Sequence, residues 1–306
     1  MLRHIAGRVG QAIVATFGVL TMVFFVMRLS GDPTLLLVPE GATAEQIAAL
    51  RHQLGFDRPL VVQYGAYLAD LARLDLGESL VQRAPVAGIV GERIPYTMAL
   101  AAGSLVVALG IGIPAGIAMA VWRGSVLERA LAAFVLTGQS LPTFWSGILL
   151  ILLFGVNLGW LPTSGADSLG SLVMPSVALG ALTMSTFARM TRIAVLDELS
   201  RDYVAAARAR GLSLAAAVGR HVLRNAAIPV VTVTALEVGN LLAGAVIVET
   251  VFAWPGIGQL AIQSIAARDF LVVQTVVLFV SVVYVGTNLL ADLAYAAIDP
   301  RIRMGA

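Results

Sequence analysis

The sequence contains no lysine and no cysteine, and each absence excludes a class of function. All 20 of its basic residues, histidine aside, are arginine. The phosphate-binding loop of standard ATPases, G-x-x-x-x-G-K-S/T, requires a lysine, so this chain is not itself such an ATPase. Without cysteine, neither a disulfide framework nor a thiolate metal site can form. The histidines, His4, His52 and His221, lie far apart in sequence, so we expect no metal site and no catalytic histidine cluster.

Charge of either sign is also scarce. Charged residues make up 12% of the chain and hydrophobic residues 58%, whereas a soluble domain carries roughly 25% charged residues. The net charge of +2 is too small to indicate nucleic-acid binding. The composition therefore predicts a membrane protein.

Six apolar segments are long enough to span a bilayer, which takes about 20 mostly apolar residues. The sequence thus predicts an all-α integral membrane protein with six transmembrane helices. Pro114, Pro142 and Pro175 are expected to mark kinks or helix starts. The predicted spans are residues 9–27, 96–122, 130–156, 174–187 (running on toward 194), 228–251 and 271–298.

Arginine placement predicts the orientation, because cytoplasmic loops carry the excess of basic residues. A cluster of seven arginines lies between Arg189 and Arg224, while the connection 157–173 has none. Both termini are therefore predicted to be cytoplasmic. The first apolar segment is too long for a signal-peptide core and no small-residue cleavage site follows it, so we expect an uncleaved helix.

The segment 31–94 is predicted to be extracytoplasmic and too long for a simple loop. Thr43 is placed to cap a helix with Ile47, Leu50 and Leu54 on one face, and 60–74 shows a similar pattern. Two interpretations remain open for this segment. It is either a surface elaboration that covers the bundle or a docking platform for an external partner.

A polar stretch at 200–214, here called the hairpin, stands out from the apolar chain. Ser200 is predicted to cap a short helix, Gly211 to end it in the left-handed conformation, and Ser213 to start a second helix. A cytoplasmic loop that is rich in arginine only because of its location would explain the charges. It would not explain a capped helix–glycine–helix unit with small alanine side chains, which favours docking against another protein.

The hairpin resembles the cytoplasmic signature loop of permease subunits of ABC importers, Glu-Ala-Ala followed three residues later by Gly. Ala206, Ala207 and Gly211 match this pattern, and Ala205 replaces the glutamate. The sequence HVLRNAAIP at 221–229 resembles the His-x-x-Arg-Asn-Ala-x-x-Pro pattern of the dipeptide/oligopeptide/nickel branch, and the run 158–168 is most similar to peptide or glutathione permeases. Further matching motifs, in order, are GDP (31–33), LGFDRPL (54–60), DLGES (75–79), RIPYT (93–97), LGWLPTSG (158–165), FAWPGIG (252–258), RDF (268–270) and DPRIR (299–303).

The resemblance implies a type I ABC importer permease in a bacterial inner membrane. It implies partners as well: a homologous second permease, two ABC ATPase subunits and an extracytoplasmic substrate-binding protein. ATP and Mg²⁺ would belong to the ATPases, and this chain would need no cofactor. The residues predicted to contact an ATPase are Asp202, Tyr203, Ala206, Ala207, Arg210, Gly211 and Leu212. The predicted division is 1–30 (N-terminal tip and first helix), 31–94 (extracytoplasmic segment) and 95–306 (five-helix core, with the coupling loop 196–227).

Ionisable groups inside a membrane are costly and usually face the protein interior. Glu237 is expected to do so, together with Asn240 and Asn288. These three residues either line the substrate path or permease–permease interface, or Glu237 makes a structural ion pair with a nearby arginine. Asp292, near the end of the last helix, is expected to snorkel or to form a salt bridge.

Transport of small peptides or similar solutes (glutathione, dipeptide, oligopeptide, a nickel complex or an opine) is the function that the resemblance implies. The alternative is a secondary transporter or channel driven by an ion gradient, which would need carboxylates within the spans and no docking hairpin. An intramembrane enzyme is excluded because no catalytic arrangement of side chains occurs at membrane depth.

Overall fold

The computed structural model describes residues 2–38 and 42–298, which are helical almost throughout, with no β-strand in these ranges. Two short π-helical segments, Ile151–Asn157 and Val218–Val222, join α7 to the following loop and α10 to α11. The α-helices are α1 (Leu2–Leu29), α2 (Thr34–Leu37), α3 (Ala44–Gln53), α4 (Leu60–Ala72), α5 (Val86–Val121), α6 (Val126–Ser140), α7 (Thr143–Leu150), α8 (Leu169–Leu199), α9 (Asp202–Ala209), α10 (Leu214–Ala217), α11 (Leu223–Val251), α12 (Ile257–Ala266) and α13 (Phe270–Ile298).

The chain forms two compact units. One contains Tyr96–Pro255 and the chain from Gly286 onward, here called the core unit. The other contains Leu2–Pro95 and Gly256–Val285, here called the N-terminal unit. The predicted division at residues 30 and 94 stays a prediction.

Helix α8 is the central element of the core unit. Its buried residues pack against α5 and α11, and two apolar clusters form around Leu179 and Phe187, neither of which is exposed. Small residues bring the backbones of α5 and α8 close together. A methyl group added at Gly116 would lie 2.5 Å from the carbonyl oxygen of Ala188, so only glycine fits there.

In the N-terminal unit, α3 and α4 follow the boundaries that the sequence predicts. The Thr43 hydroxyl accepts from the backbone N–H of Gln46, whose side chain accepts from the N–H of Thr43, a reciprocal capping box. Before α3, Asp32 of the GDP motif accepts from Thr34 and forms an ion pair with Arg51. Burial raises the pKa of Asp32, but these hydrogen bonds and the arginine outweigh it, so the pKa is lowered.

The predicted six spans are not confirmed as counted. Among the described residues, three helices are long and apolar enough to cross a membrane: Val86–Val121, Leu169–Leu199 and Phe270–Leu289. Two bent helix pairs raise the number to five, and Ile13–Leu29 is a shorter apolar helix. The third predicted span is not continuous, because the chain bends by 104° between α6 and α7, where Pro142 cannot donate a helical hydrogen bond. Helix α8 is longer than predicted, and Arg192 within it is paired with Glu128 of α6.

The contact between α5 and α8 generates a prediction. Gly116→Ala will lower the melting temperature of the purified protein, because overpacking a tight backbone contact costs about 1–3 kcal/mol. Gly110→Ala is the matched control on the same helix, since a methyl group there meets nothing within 4 Å. The measurement is thermal unfolding in one detergent. Equal melting temperatures for the two variants would contradict the close packing.

Candidate functional site: the hairpin between α8 and α11

The hairpin has the helix–glycine turn that the sequence predicts. Helix α9 ends at Ala209, and Gly211 takes φ +92°, in the left-handed region. The N–H of Gly211 donates to the Arg208 carbonyl at 2.9 Å, and the N–H of Leu212 donates to the Ala207 carbonyl at 3.2 Å. The turn therefore satisfies the last carbonyls of α9, and a side chain at Gly211 would strain it.

The predicted cap at Ser200 is wrong. Ser200 ends α8 instead, and its hydroxyl donates to the Asp197 carbonyl at 2.7 Å. Arg201 occupies the N-cap of α9 and makes no side-chain capping bond. The second cap is confirmed, because the Ser213 hydroxyl accepts from the N–H of Ala216. The helix that follows is the beginning of the next long helix, since α10 continues through Val218–Val222 into α11.

One face of α9 is fixed to the rest of the core unit. Val204 and Ala207 are each 3% exposed. Val204 packs in an apolar cluster with residues of α8 and α11, among them Val195 and Ala226. The other face is exposed to solvent in the described structure. Of the predicted ATPase-contact residues, Ala207 is therefore on the inner face, Leu212 is half-buried, and the exposed ones are Asp202, Tyr203, Ala206, Arg210 and Gly211.

A hydrogen-bonded group that we did not predict joins the hairpin to both of its flanking helices. The Tyr203 hydroxyl donates to a carboxylate oxygen of Glu198, at the end of α8. The amide of Asn225, in α11, donates to the same oxygen at 3.2 Å and to the Tyr203 hydroxyl at 3.3 Å. Burial and then the bond to Glu198 raise the pKa of Tyr203, so the phenol remains a donor at neutral pH. The Asn225 of the HVLRNAAIP motif was the available signal for this group.

The predicted path residues are only partly brought together. The Asn240 amide donates to a carboxylate oxygen of Glu237 at 3.3 Å, one turn earlier on α11. Glu237 is 9% exposed, and no arginine forms an ion pair with it among the described residues. Asn288 is half-buried on α13 and makes no hydrogen bond to either residue within the described ranges. The side chain of Asp292 lies outside the described residues.

A second buried carboxylate lies near the end of α11. Glu249 is completely buried and accepts a hydrogen bond from the Thr97 hydroxyl at 2.7 Å. Beyond it, in the FAWPGIG motif, the indole N–H of Trp254 donates to the Tyr96 carbonyl at 2.9 Å. These two bonds join the end of α11 to the RIPYT motif of α5.

Comparison with known families identifies the chain. Residues 112–304 match the family described as "Binding-protein-dependent transport system inner membrane component", and residues 1–101 match "Binding-prot-dependent transport system membrane comp, N-term". This chain belongs to that family. The permease is 43% identical to the glutathione transport system permease protein GsiC of Escherichia coli (strain K12) over 304 residues, which is 99% of each chain. The GsiC protein of Salmonella typhimurium (strain LT2) gives the same identity and coverage.

Solved structures show the fold. Inward-facing conformations of the MetNI methionine ABC transporter align with a TM-score of 0.59 at 22% identity, over 69% of this chain and 96% of that chain. An amino acid ABC transporter crystallised with histidines aligns with a TM-score of 0.55 at 16% identity. The alignment covers 68% of this chain and 92% of that chain. The permease therefore has the type I ABC importer permease fold.

The permease is a multi-pass inner-membrane subunit of an ATP-driven importer and is not an enzyme. The ion-gradient alternative is not favoured, because the family match and the full-length relatives are components of binding-protein-dependent import systems. Glutathione is one of the substrates predicted from the sequence resemblance, and the relatives include glutathione transport system permease proteins.

The two faces of α9 generate a second prediction. Ala207→Leu will destabilise the permease by about 1–3 kcal/mol, because the larger side chain overpacks a buried site. Ala206→Leu, at the neighbouring exposed position, will leave the melting temperature within about 1 °C of wild type, since surface substitutions are usually within about 0.5 kcal/mol. Thermal unfolding of the purified permease measures both. If Ala206→Leu lowered the melting temperature more than Ala207→Leu, the assignment of the buried face of α9 would be contradicted.

Proposed function

We propose that the permease imports glutathione or another short peptide and that the hairpin transmits the motion of a partner ATPase to α8 and α11. Full-length identity of 43% to two glutathione permeases supports the cargo class. Both termini and the hairpin would lie in the cytoplasm, where the arginine-rich segment between Arg189 and Arg224 favours them. The assembly would also contain a second permease and an extracytoplasmic binding protein.

The two-sided structure of α9 is the observation that carries the coupling role. Its exposed face offers Asp202, Ala206 and Arg210 to a groove of the ATPase. On its buried face, Val204 packs against residues near the ends of α8 and α11, and Ala207 is buried beside it. A push on the exposed face therefore moves those helices rather than deforming a flexible loop.

The polar group around Tyr203 supports the same role. Glu198 and Asn225 belong to the helices on either side of the hairpin, and both bind the Tyr203 side chain. Movement of α9 as one body with these helix ends is the rigid-body gating expected of a transporter that rocks about a central site.

Glu237 and Asn240 are proposed to line the substrate path or the interface with the second permease. Asn240 is exposed in this chain, while Glu237 is buried beside it. An intramembrane carboxylate with a polar neighbour and no arginine partner in the described ranges is suited to accept a hydrogen bond from the amine of a peptide.

The test of coupling is ATP hydrolysis by the whole importer in lipid nanodiscs. The wild-type importer will hydrolyse ATP faster when its glutathione-loaded binding protein is added. Gly211→Gln will assemble but lose most of this stimulation, because the side chain strains the left-handed turn by roughly 1 kcal/mol and projects from the docking face.

Gly124→Gln is the matched control. Gly124 also has a positive φ, +82°, and a side chain there also meets nothing within 4 Å, so the backbone strain is comparable. Normal stimulation in both variants would refute the coupling role of the hairpin. Stimulation by a loaded dipeptide but not by glutathione would refute the glutathione assignment and leave the coupling role intact.

A further inference from the structure

The N-terminal unit contains a cavity that the coupling role does not use. Its volume is about 230 Å³, and a single water needs only about 10–15 Å³ measured in this way. The walls come from α1, α4 and the first turns of α13, together with the turns around Gly55 and Gly77. The cavity is therefore large enough for a polar group of several heavy atoms.

Several buried polar atoms around this cavity have no hydrogen-bond partner among the residues that the structure describes. Both amide atoms of Gln274 are buried without a hydrogen bond, and the residue is only 1% exposed. Two guanidinium nitrogens of Arg28, Nε and Nη1, and the amide oxygen of Gln63 are in the same condition. Buried polar atoms without partners are rare because each costs about 1–3 kcal/mol. Three such side chains around one cavity indicate an occupant that supplies acceptors and donors.

Among the described residues, no carboxylate forms an ion pair with Arg28, and aromatic rings surround its guanidinium group. Its guanidinium carbon lies 4.4 Å from the ring centre of Phe56, 5.2 Å from that of Phe270 and 5.3 Å from that of Phe24. Aromatic rings attract the cation but accept no strong hydrogen bond. The N–H groups on Nε and Nη1 of Arg28 therefore remain available to an anionic group.

The remaining lining has charge of both signs. Arg58 adds a second cation, and Asp70 and Asp75 add two carboxylates. Tyr67 also lines the cavity. Burial raises the pKa of its phenol to about 12, so the hydroxyl keeps its proton at neutral pH. A ligand with one anionic and one ammonium group matches this arrangement better than a simple anion does.

The position of the cavity on α13 favours an amphipathic ligand. Gln274 and Thr275 lie in the first turns of the helix, and Leu278 lies about one turn further along the same face. Leu271 and Leu71 complete an apolar part of the wall. Helix α13 is long and apolar enough to cross a membrane, and the cavity lies beside its first turns and the last turn of α1, which contains Arg28. A ligand with a polar end and an apolar tail therefore suits this position.

We propose that this cavity binds the headgroup of a phospholipid that carries a primary amine, of the phosphatidylethanolamine type. The phosphate accepts hydrogen bonds from Arg28, Arg58 and Gln274. The ammonium group is held by Asp70 and Asp75, and the acyl chains leave along Leu278. The site is separate from the hairpin and does not depend on the cargo.

The test is native mass spectrometry of the intact importer released from phosphatidylcholine nanodiscs to which phosphatidylethanolamine has been added. We expect one retained phosphatidylethanolamine per permease. Arg58→Gln and Gln274→Leu will each weaken retention about tenfold, the effect of losing one charge-assisted or buried hydrogen bond. Arg73→Gln is the matched control, because Arg73 is an exposed arginine in the same segment that does not line the cavity.

Gln274→Leu also distinguishes a lipid site from a cavity filled only by water. With a bound lipid, added phosphatidylethanolamine will raise the melting temperature of the wild type but not of Gln274→Leu. If the variant is instead more stable than wild type and retains the lipid equally, the proposal is overturned. Equal loss of retention in Arg73→Gln overturns it as well. Displacement of the lipid by soluble phosphoethanolamine at similar concentration would show a site for the free phosphoester and refute the lipid assignment.

Discussion

Close backbone contact between helices is the constraint on which the core unit depends. In a bilayer the lipid tails are as apolar as leucine side chains, so helices associate through packing and hydrogen bonds rather than through the hydrophobic effect. Gly112 and Gly116 of α5 meet the backbone of α8 between Met184 and Ala188, and Gly180 of α8 meets the Ser104 carbonyl. These contacts place α8 at the centre of the unit.

A rigid centre explains how a small cytoplasmic element can act on a whole permease. The apolar cluster that contains Val204 includes residues of α5, α8 and α11. The Glu198–Tyr203–Asn225 group adds directional bonds to the same junction. The cluster thus joins Val204 of the hairpin to residues of both long helices next to it. The hairpin is therefore packed into the core unit and is not a loop attached to its surface.

Several carboxylates in the core unit are paired. Thr97 binds Glu249, Asn240 binds Glu237, and Arg192 of α8 binds Glu128 of α6. An unpaired polar group in lipid would cost several kcal/mol. The Thr97–Glu249 and Arg192–Glu128 pairs each join two helices, and the Asn240–Glu237 pair joins two turns of α11. At the cavity of the N-terminal unit, Gln274 and Arg28 have buried polar atoms without partners among the described residues.

The sequence by itself determined the helical membrane class, the family and the local signals at Thr43, Ser213 and Gly211, because these depend on composition, spacing and the conformational freedom of single residues. The prediction for Ser200 was wrong because a serine between two helices can end the first or cap the second. Only the structure shows that α8 continues to Leu199 and that Ser200 ends it. The bend at Pro142, the inner position of Ala207 and the Tyr203 group were decided by tertiary structure. Each depends on which distant helix packs against the residue, and local sequence does not contain that information.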